Sequence, residues 1–423
     1  MVSERCLSGR KERIANPLKG LHLFRGFESL PLRHLPTASI LSPASAAKPA
    51  LLAKSMPHSD TQFQLLIKPA GSRCNLHCTY CFYAGNDRFF PPPSEGRGKT
   101  MSLETLDRLA KEFLSYRMEQ SVLCWQGGEP TLCGLDFFKA AVEAEKRYGV
   151  DGQVVGNALQ TNGLLLDAKW CKHLAEYHFL VGLSLDGPRK LHEANRGKCF
   201  DQVMQAARTM RDHGVEFNVL CVVSQANVRH GAEVYDWLVG QGFNELQFIP
   251  AREVAADGSA APFSVSGEEF GDFLLAAFGR WYPRDVGAVN ERVFNSLLAS
   301  FACGEPNLCT FRSRCGDYVA VERGGEVFPC DFYIQPEHKL GQLGERPLDE
   351  MFAVAREGFL QLKGQVDAAC RECEWFALCH GGCPRDREPN GRNAHCAGMK
   401  KFFAVAAPKL EGLAQQLKRV RGF

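Results

Sequence analysis

The sequence predicts an α/β protein: a partial (β/α)6 barrel of the TIM type, followed by a cysteine-rich C-terminal domain. Three observations predict it. Between Thr61 and Pro250, six short apolar strands alternate with five clear helical patterns. The strands are apolar on both faces, as strands of a helix-covered parallel sheet must be. Beyond the last strand, eight of the 18 cysteines crowd between Cys309 and Cys396.

The elements follow in order. Gln62 to Ile67 is the first expected strand, and a long loop with three cysteines follows it. Leu103, Leu106, Leu109, Ala110, Phe113 and Leu114 then recur at helical spacing behind Ser102, a residue type that caps helices. Further strands are expected at Val122 to Trp125, Asn157 to Gln160, Phe179 to Leu185, Phe217 to Val223 and Leu246 to Ile249. The helices between them run Phe137 to Tyr148, Asp167 to Tyr177, Phe200 to His213 and Val228 to Val239. Right-handed crossovers curl such a sheet into a barrel whose chemistry sits at the C-terminal strand ends. Four motifs fall there: Cys74 to Cys81, Gly127-Gly128-Glu129-Pro130, Thr161-Asn162-Gly163 and Asp186-Gly187. Past Pro250, helices are expected at Phe270 to Phe278 and Val293 to Phe301. Val319 to Val321 and Val327-Phe328 read as a hairpin through Gly324-Gly325. The expected division is a barrel with connecting helices over residues 61–302 and a cysteine-rich domain with a C-terminal helix over 303–423.

Composition narrows the function. Lys and Arg number 50 against 48 Asp and Glu, so the strongly basic footprint of a dedicated nucleic-acid or membrane-surface binder is missing. No apolar run reaches the ~18–20 residues that span a bilayer. The start lacks a signal-peptide pattern, so cysteines at two- and three-residue intervals point to metal or clusters rather than disulfides. Residues 1–55 carry nine basic and three acidic residues without a steady period. They read as a disordered leader or a start assigned too early, with Met56 as the true one; an organelle-targeting segment is the alternative.

Cys74, Cys78 and Cys81 form a CxxxCxxC triad, which suits three irons of a [4Fe–4S] cube and leaves the fourth iron open. A zinc site completed by His77 or a remote residue is the competing reading. The triad after a first barrel strand, with aromatic Tyr80 before its last cysteine, resembles the radical S-adenosylmethionine (SAM) superfamily signature. Gly127 to Pro130 resembles that superfamily's GGEP motif, whose backbone is expected to meet the SAM amino group; glycine allows so close an approach. The resemblance implies reductive cleavage of SAM to methionine and a 5′-deoxyadenosyl radical.

Cys315, Cys330, Cys370, Cys373, Cys379, Cys383 and Cys396 are spaced C-x9-G-x4-C, C-x2-C-x5-C-x3-C, then C, with Gly325 as the internal glycine. This resembles the SPASM domain, which holds two auxiliary [4Fe–4S] clusters; paired zinc ribbons are the alternative. With Cys309 there are eight thiols, enough for two clusters. The resemblance assigns Cys309, Cys315, Cys330 and Cys383 to one and Cys370, Cys373, Cys379 and Cys396 to the other, three clusters in all.

From Phe63 onward the chain is most similar to anaerobic sulfatase-maturating enzymes. The segments that carry this include Leu65 to Ala70, Cys81 to Tyr83, Gln126 to Thr131, Gln160 to Gly163, Gly182 to Pro188, Glu216 to Val223, Leu246 to Ile249 and Pro329 to Tyr333. The resemblance implies oxidation of a Cys or Ser, within a C/S-x-P-x-R motif of a sulfatase polypeptide, to Cα-formylglycine. It implies Asp331 as the base, and SAM contacts at Tyr80, Gly128, Ser184, Arg196 and Leu246. Arg196 suits the SAM carboxylate because guanidinium binds carboxylates through two parallel hydrogen bonds; Leu246 packs on adenine or belongs to the core. Gln126 is a weaker candidate for substrate contact. A low-potential donor such as ferredoxin or flavodoxin and a reducing cytoplasm are implied too. Cys6, Cys124, Cys133, Cys171, Cys199, Cys221 and Cys303 are expected to be inert. The nearest rival is a SPASM enzyme modifying another ribosomal peptide. An iron–sulfur electron carrier or a zinc-binding interaction protein is the rival from another class.

Overall fold

The computed structural model describes residues 62–84, 99–254 and 259–421. The expectation for residues 1–55 lies outside them. The six expected strands form as β1 (Gln64–Lys68), β2 (Gln120–Trp125), β3 (Val154–Thr161), β4 (Leu180–Ser184), β5 (Phe217–Val223) and β6 (Glu245–Pro250). They pair in parallel and in chain order. The crossovers are α1 (Leu103–Ser115), α2 (Leu135–Tyr148), α3 (Ala168–Glu176), α4 (Arg189–Arg196) with α5 (Phe200–Asp212), and α6 (Gly231–Gly240).

Helix α1 shows why the pattern works. Ser102 Oγ accepts from Thr105 N at 3.0 Å, and Leu106, Leu109, Ala110, Phe113 and Leu114 are buried against the sheet. Helix α4 was not expected. Its sequence, RKLHEANR, is mostly polar, yet it buries His192, Asn195 and Arg196 as well as Leu191.

Side-chain alternation sorts the strands into two faces. Ile67, Trp125 and Leu159 point to the helices and join the main hydrophobic core. Leu66, Cys124 and Ala158 lie level across β1, β2 and β3 on the inner face. Cys124 and Ala158 belong to a separate small cluster there.

The remaining elements are α7 (Gly267–Trp281), β7 (Asn290–Glu291), α8 (Arg292–Cys303), β8 (Tyr318–Glu322), β9 (Glu326–Phe328), β10 (Gly341–Gln342), α9 (Leu348–Gly364), α10 (Ala368–Arg371), α11 (Phe376–Cys379) and α12 (Cys396–Arg421). The expected hairpin is β8–β9, and β8 pairs in parallel with β1, from Gln64–Tyr318 to Lys68–Glu322. One ten-stranded sheet results, in the order β10-β9-β8-β1-β2-β3-β4-β5-β6-β7. The sheet therefore runs past residue 303, and the cysteine-rich segment is stitched to the barrel at β1.

A second stitch is α12, which packs on α7 and α8. It crosses α7 where Gly398 meets Gly267 and Gly271, and none of the three has room for a Cβ. Phe402 then packs its ring on Phe278 and Phe294, each at 5.7 Å. Among the described residues, no helix is long and apolar enough to cross a membrane.

Candidate active site

The cysteine loop leaves β1 through a turn in which Gly71 N donates to Lys68 O and Gly71 has φ +57°. The loop is then locked to the segment after β2. Gly128 N donates to Gly71 O at 2.8 Å and Glu129 N to Arg73 O at 2.7 Å. A Cβ at Gly128 would collide with the Arg73 carbonyl, so this approach requires glycine. Glu129, 1% exposed, accepts from Thr131 N, Thr131 Oγ1, Thr161 Oγ1 and Asn162 N at 2.5–3.0 Å. Asn162 in turn donates to Asn75 Oδ1 at 2.7 Å and reaches Cys74 Sγ at 3.8 Å. Glu129 thus ties three strand ends together around the first cysteine, its carboxylate those of β2 and β3 and its backbone N–H the loop after β1. Burial raises the Cys74 thiol and pushes that of Cys78 up to about 11, while Arg196 pulls Cys78 the other way.

Asp186, wholly buried after β4, organises the next sector. It accepts from Tyr80 Oη at 2.5 Å, Val222 N at 3.0 Å and Asn195 Nδ2 at 3.4 Å. Arg196 adds a two-pronged ion pair, Nε at 2.9 Å and Nη2 at 3.2 Å. Asp186 thus positions the guanidinium, and Nη1 faces the cysteine loop, 4.0 Å from Cys78 Sγ. His192 supports the same carboxylate's backbone, with Nδ1 3.3 Å from Asp186 N and Nε2 3.3 Å from Cys199 Sγ. Burial pushes its pKa down to about 4, so the ring is neutral near pH 7.

Ser184 ends β4, is buried, and lies level with Leu220 on the inner face. Leu246 does not join it. By register it is level with Leu183 and Val219, and all three belong to the helix-facing core. Its side chain is ordinary core rather than an adenine platform, because strand alternation turns it away from the interior.

Asp331, 9% exposed, stands on the inner side of the first stitch. Gln126 Nε2 donates to its Oδ2 at 3.1 Å and Tyr318 Oη to its Oδ1 at 3.0 Å. Tyr318 Oη also lies 3.2 Å from Cys330 Sγ, which is 3.4 Å from Asp331 Oδ1. Gln126 therefore orients the carboxylate. Tyr318 was not legible as a site residue, although its place four residues before Glu322 puts both on one face of β8. At the other end of that face, Lys68 Nζ sits 4.0 Å over the Tyr83 ring, and Tyr83 Oη donates to Glu322. Burial pushes Glu322 up to about 7, against the pull of Lys68 and Tyr83.

The C-terminal thiols gather in two groups. Cys330 interacts electrostatically with Cys383, Cys383 with Cys315, and Lys363 with Cys309, Cys315 and Cys383. Cys370, Cys373, Cys379 and Cys396 line one pocket of about 100 Å³ with Trp375 and Phe403. Among the described residues, no three His, Cys, Asp or Glu side chains converge as one metal ion requires. A cube makes a different demand, since each thiolate takes its own iron and the thiols ring a cavity. The four-thiol pocket meets that demand, so the donor set fits an iron–sulfur cluster. Of the other cysteines, Cys124, Cys171, Cys199 and Cys221 are buried. Cys6 lies outside the described residues.

Residues 69–238 match the radical SAM superfamily. The chain is 36% identical over 368 residues to a cysteine-type anaerobic sulfatase-maturating enzyme of Clostridium perfringens, covering 84% of this chain and 99% of that one. It is 34% identical over 383 residues to a serine-type anaerobic sulfatase-maturating enzyme of Bacteroides thetaiotaomicron, covering 84% and 91%. The solved structure of native anSMEcpe with bound AdoMet and Cp18Cys peptide matches with a TM-score of 0.76 at 36% identity, covering 84% and 99%. The fold and the cysteine loop thus define a radical SAM protein. Within that superfamily, the chain belongs to the family of anaerobic sulfatase-maturating enzymes.

Proposed function

We propose that the chain matures a sulfatase, oxidising a Cys or Ser of a C/S-x-P-x-R segment to Cα-formylglycine. The observation that carries this reading is Asp331: a buried carboxylate on the inner face of the barrel, oriented by Gln126 and Tyr318 and 3.4 Å from Cys330 Sγ. A proton acceptor and a route for an electron stand side by side, as a two-electron oxidation needs; Ser then gives the aldehyde directly, and Cys gives a thioaldehyde that water hydrolyses with loss of hydrogen sulfide.

Cys74, Cys78 and Cys81 would hold one [4Fe–4S] cluster beside SAM. Cys309, Cys315, Cys330 and Cys383 would hold a second, and Cys370, Cys373, Cys379 and Cys396 a third. When bound, these groups supply a 5′-deoxyadenosyl radical that takes hydrogen from the substrate Cβ, and a path for the second electron. The chain does the rest. Gly128 lets the backbone after β2 come close to the cysteine loop. Asp186 and Tyr80 fix Arg196 so that Nη1 stays beside Cys78. Asp331 takes the thiol or hydroxyl proton of the substrate; its carboxylate has about four lone-pair sites, and the two bonds from Gln126 and Tyr318 leave room for another. Ser184 borders the same interior.

An external low-potential donor such as ferredoxin or flavodoxin and a reducing cytoplasm complete the account. Cysteine-type and serine-type relatives are about equally similar, at 36% and 34%, so both substrates stay within the reading. The test is mass spectrometry of a C/S-x-P-x-R peptide incubated without oxygen with the iron-loaded chain, SAM and a strong reductant. Formylglycine supports the reading. SAM cleavage with the peptide unchanged overturns it in favour of another peptide class.

A further inference from the structure

Two cations, the buried Lys363 and the half-buried Arg387, stand among the C-terminal cysteines without a carboxylate among their hydrogen-bond partners. Lys363, 3% exposed, is in the last turn of α9. Its Nζ donates to Gly382 O at 2.7 Å, Thr310 O at 3.1 Å and Cys309 O at 3.5 Å. Arg387 donates only to carbonyls as well: those of Leu362, Gln365, Lys363, Gly381 and His380, at 2.8–3.5 Å. Carbonyl dipoles orient a cation but leave its net charge in place. A buried charge without a counter-charge is costly, so Lys363 implies an anionic partner, and Arg387 adds a second charge beside it.

The candidates for that partner are the thiols. Lys363 interacts with Cys315, Cys309 and Cys383, all of one group. Arg387 interacts with Cys315 and Cys383 of that group and with Cys370 of the other. Two acids also face this group, Asp331 at Cys330 and Asp386 at Cys383, and neither is among the hydrogen-bond partners of either cation. Positive charge is thus concentrated at the group that contains Cys330, the cysteine beside Asp331.

We propose that Lys363, with the half-buried Arg387 beside it, is a charge-tuning residue that holds the Cys309–Cys315–Cys330–Cys383 site at a higher reduction potential than it would otherwise have. The inference rests on the function proposed above. The substrate radical loses one electron, this site gains it, and the cations make the gain favourable.

The test uses the full chain with Cys74, Cys78 and Cys81 changed to Ala, reconstituted with iron and sulfide, so that only the C-terminal sites are read. Potentials come from a redox titration followed by electron paramagnetic resonance, in Lys363→Met and Lys363→Arg. Met should lower the reduced fraction at fixed potential at least ten-fold, about 59 mV for one electron. Arg, keeping the charge, should shift it by less than half as much. Equal potentials in both variants and the parent, or equal shifts in both variants, overturn the proposal. If Met abolishes the signal, Arg decides: a signal kept supports the charge, and a signal lost shows a purely structural role. No peptide is involved, so failure here is distinct from failure of the function. A parent chain that takes up no iron at these cysteines would refute the function reading itself.

Discussion

Asp186→Asn tests the centre of the barrel mouth. Asp186 is 0% exposed and its two oxygens accept from Tyr80, Asn195, Val222 and both prongs of Arg196. Asparagine keeps the shape but removes the charge and replaces one acceptor with a donor, which then faces Arg196 and Tyr80. Removing one partner of a buried pair costs about 3–5 kcal/mol, because the other charge is left without compensation. At roughly 2.1 cal/mol/K of unfolding entropy per residue, a chain of 423 residues loses about 1 °C for each 0.9 kcal/mol. The expected fall in melting temperature is therefore about 3–6 °C by calorimetry. A double variant, Asp186→Leu with Arg196→Met, should be less destabilised than Asp186→Asn alone, since it leaves no orphan charge. A melting temperature within 1 °C of the parent, or a double variant worse than the sum of its parts, would refute the reasoning.

Other outcomes follow from single contacts. Gly398→Ala should cost about 1–3 kcal/mol in chemical denaturation, since a Cβ there meets the Gly267 carbonyl. Gly412→Ala, in the same helix with open space around it, should be neutral or stabilising by up to about 1 kcal/mol. Glu145, buried with Asn157 Nδ2 at 2.9 Å, is pushed by burial from 4.5 up to about 8. Its folded form holds the proton more tightly, so its contribution to stability is complete below about pH 4.5 and is lost as pH rises through 8. Denaturation curves at pH 5 and pH 8 should show Glu145→Gln gaining on the parent as pH rises; a constant difference would contradict this.

The alternating elements were legible because strand and helix periods are local properties. Six strands and the two later helices stand where the pattern put them, apart from end residues. Helix α4 was not legible because its one buried apolar side chain is Leu191, and the rest of what it buries is polar: His192, Asn195 and Arg196, the last in an ion pair with Asp186. The hairpin was legible from Gly324-Gly325, but its pairing with β1 was not. Two strands about 250 residues apart share no local signal, and that pairing is what brings Tyr318 and Asp331 to Gln126. The same limit explains Arg196 and Leu246. Residue type suggested a carboxylate clamp and an apolar platform. Which carboxylate Arg196 meets, and which face Leu246 takes, depend on α4 and on register. The cysteines were legible as a cluster-binding set because their spacing is itself the motif, whereas spacing does not fix which of them belong together, and the division into two groups came from the resemblance.

The most direct test of the central claim uses a substrate peptide deuterated at the Cβ of its target Cys, incubated without oxygen with SAM and reductant. Mass spectrometry should find deuterium in 5′-deoxyadenosine and formylglycine in the peptide. Asp331→Asn should lower formylglycine by about 10²–10⁴-fold, the usual worth of a positioned base. Deuterium-free 5′-deoxyadenosine with an unaltered peptide, or full formylglycine yield from Asp331→Asn, would contradict the account.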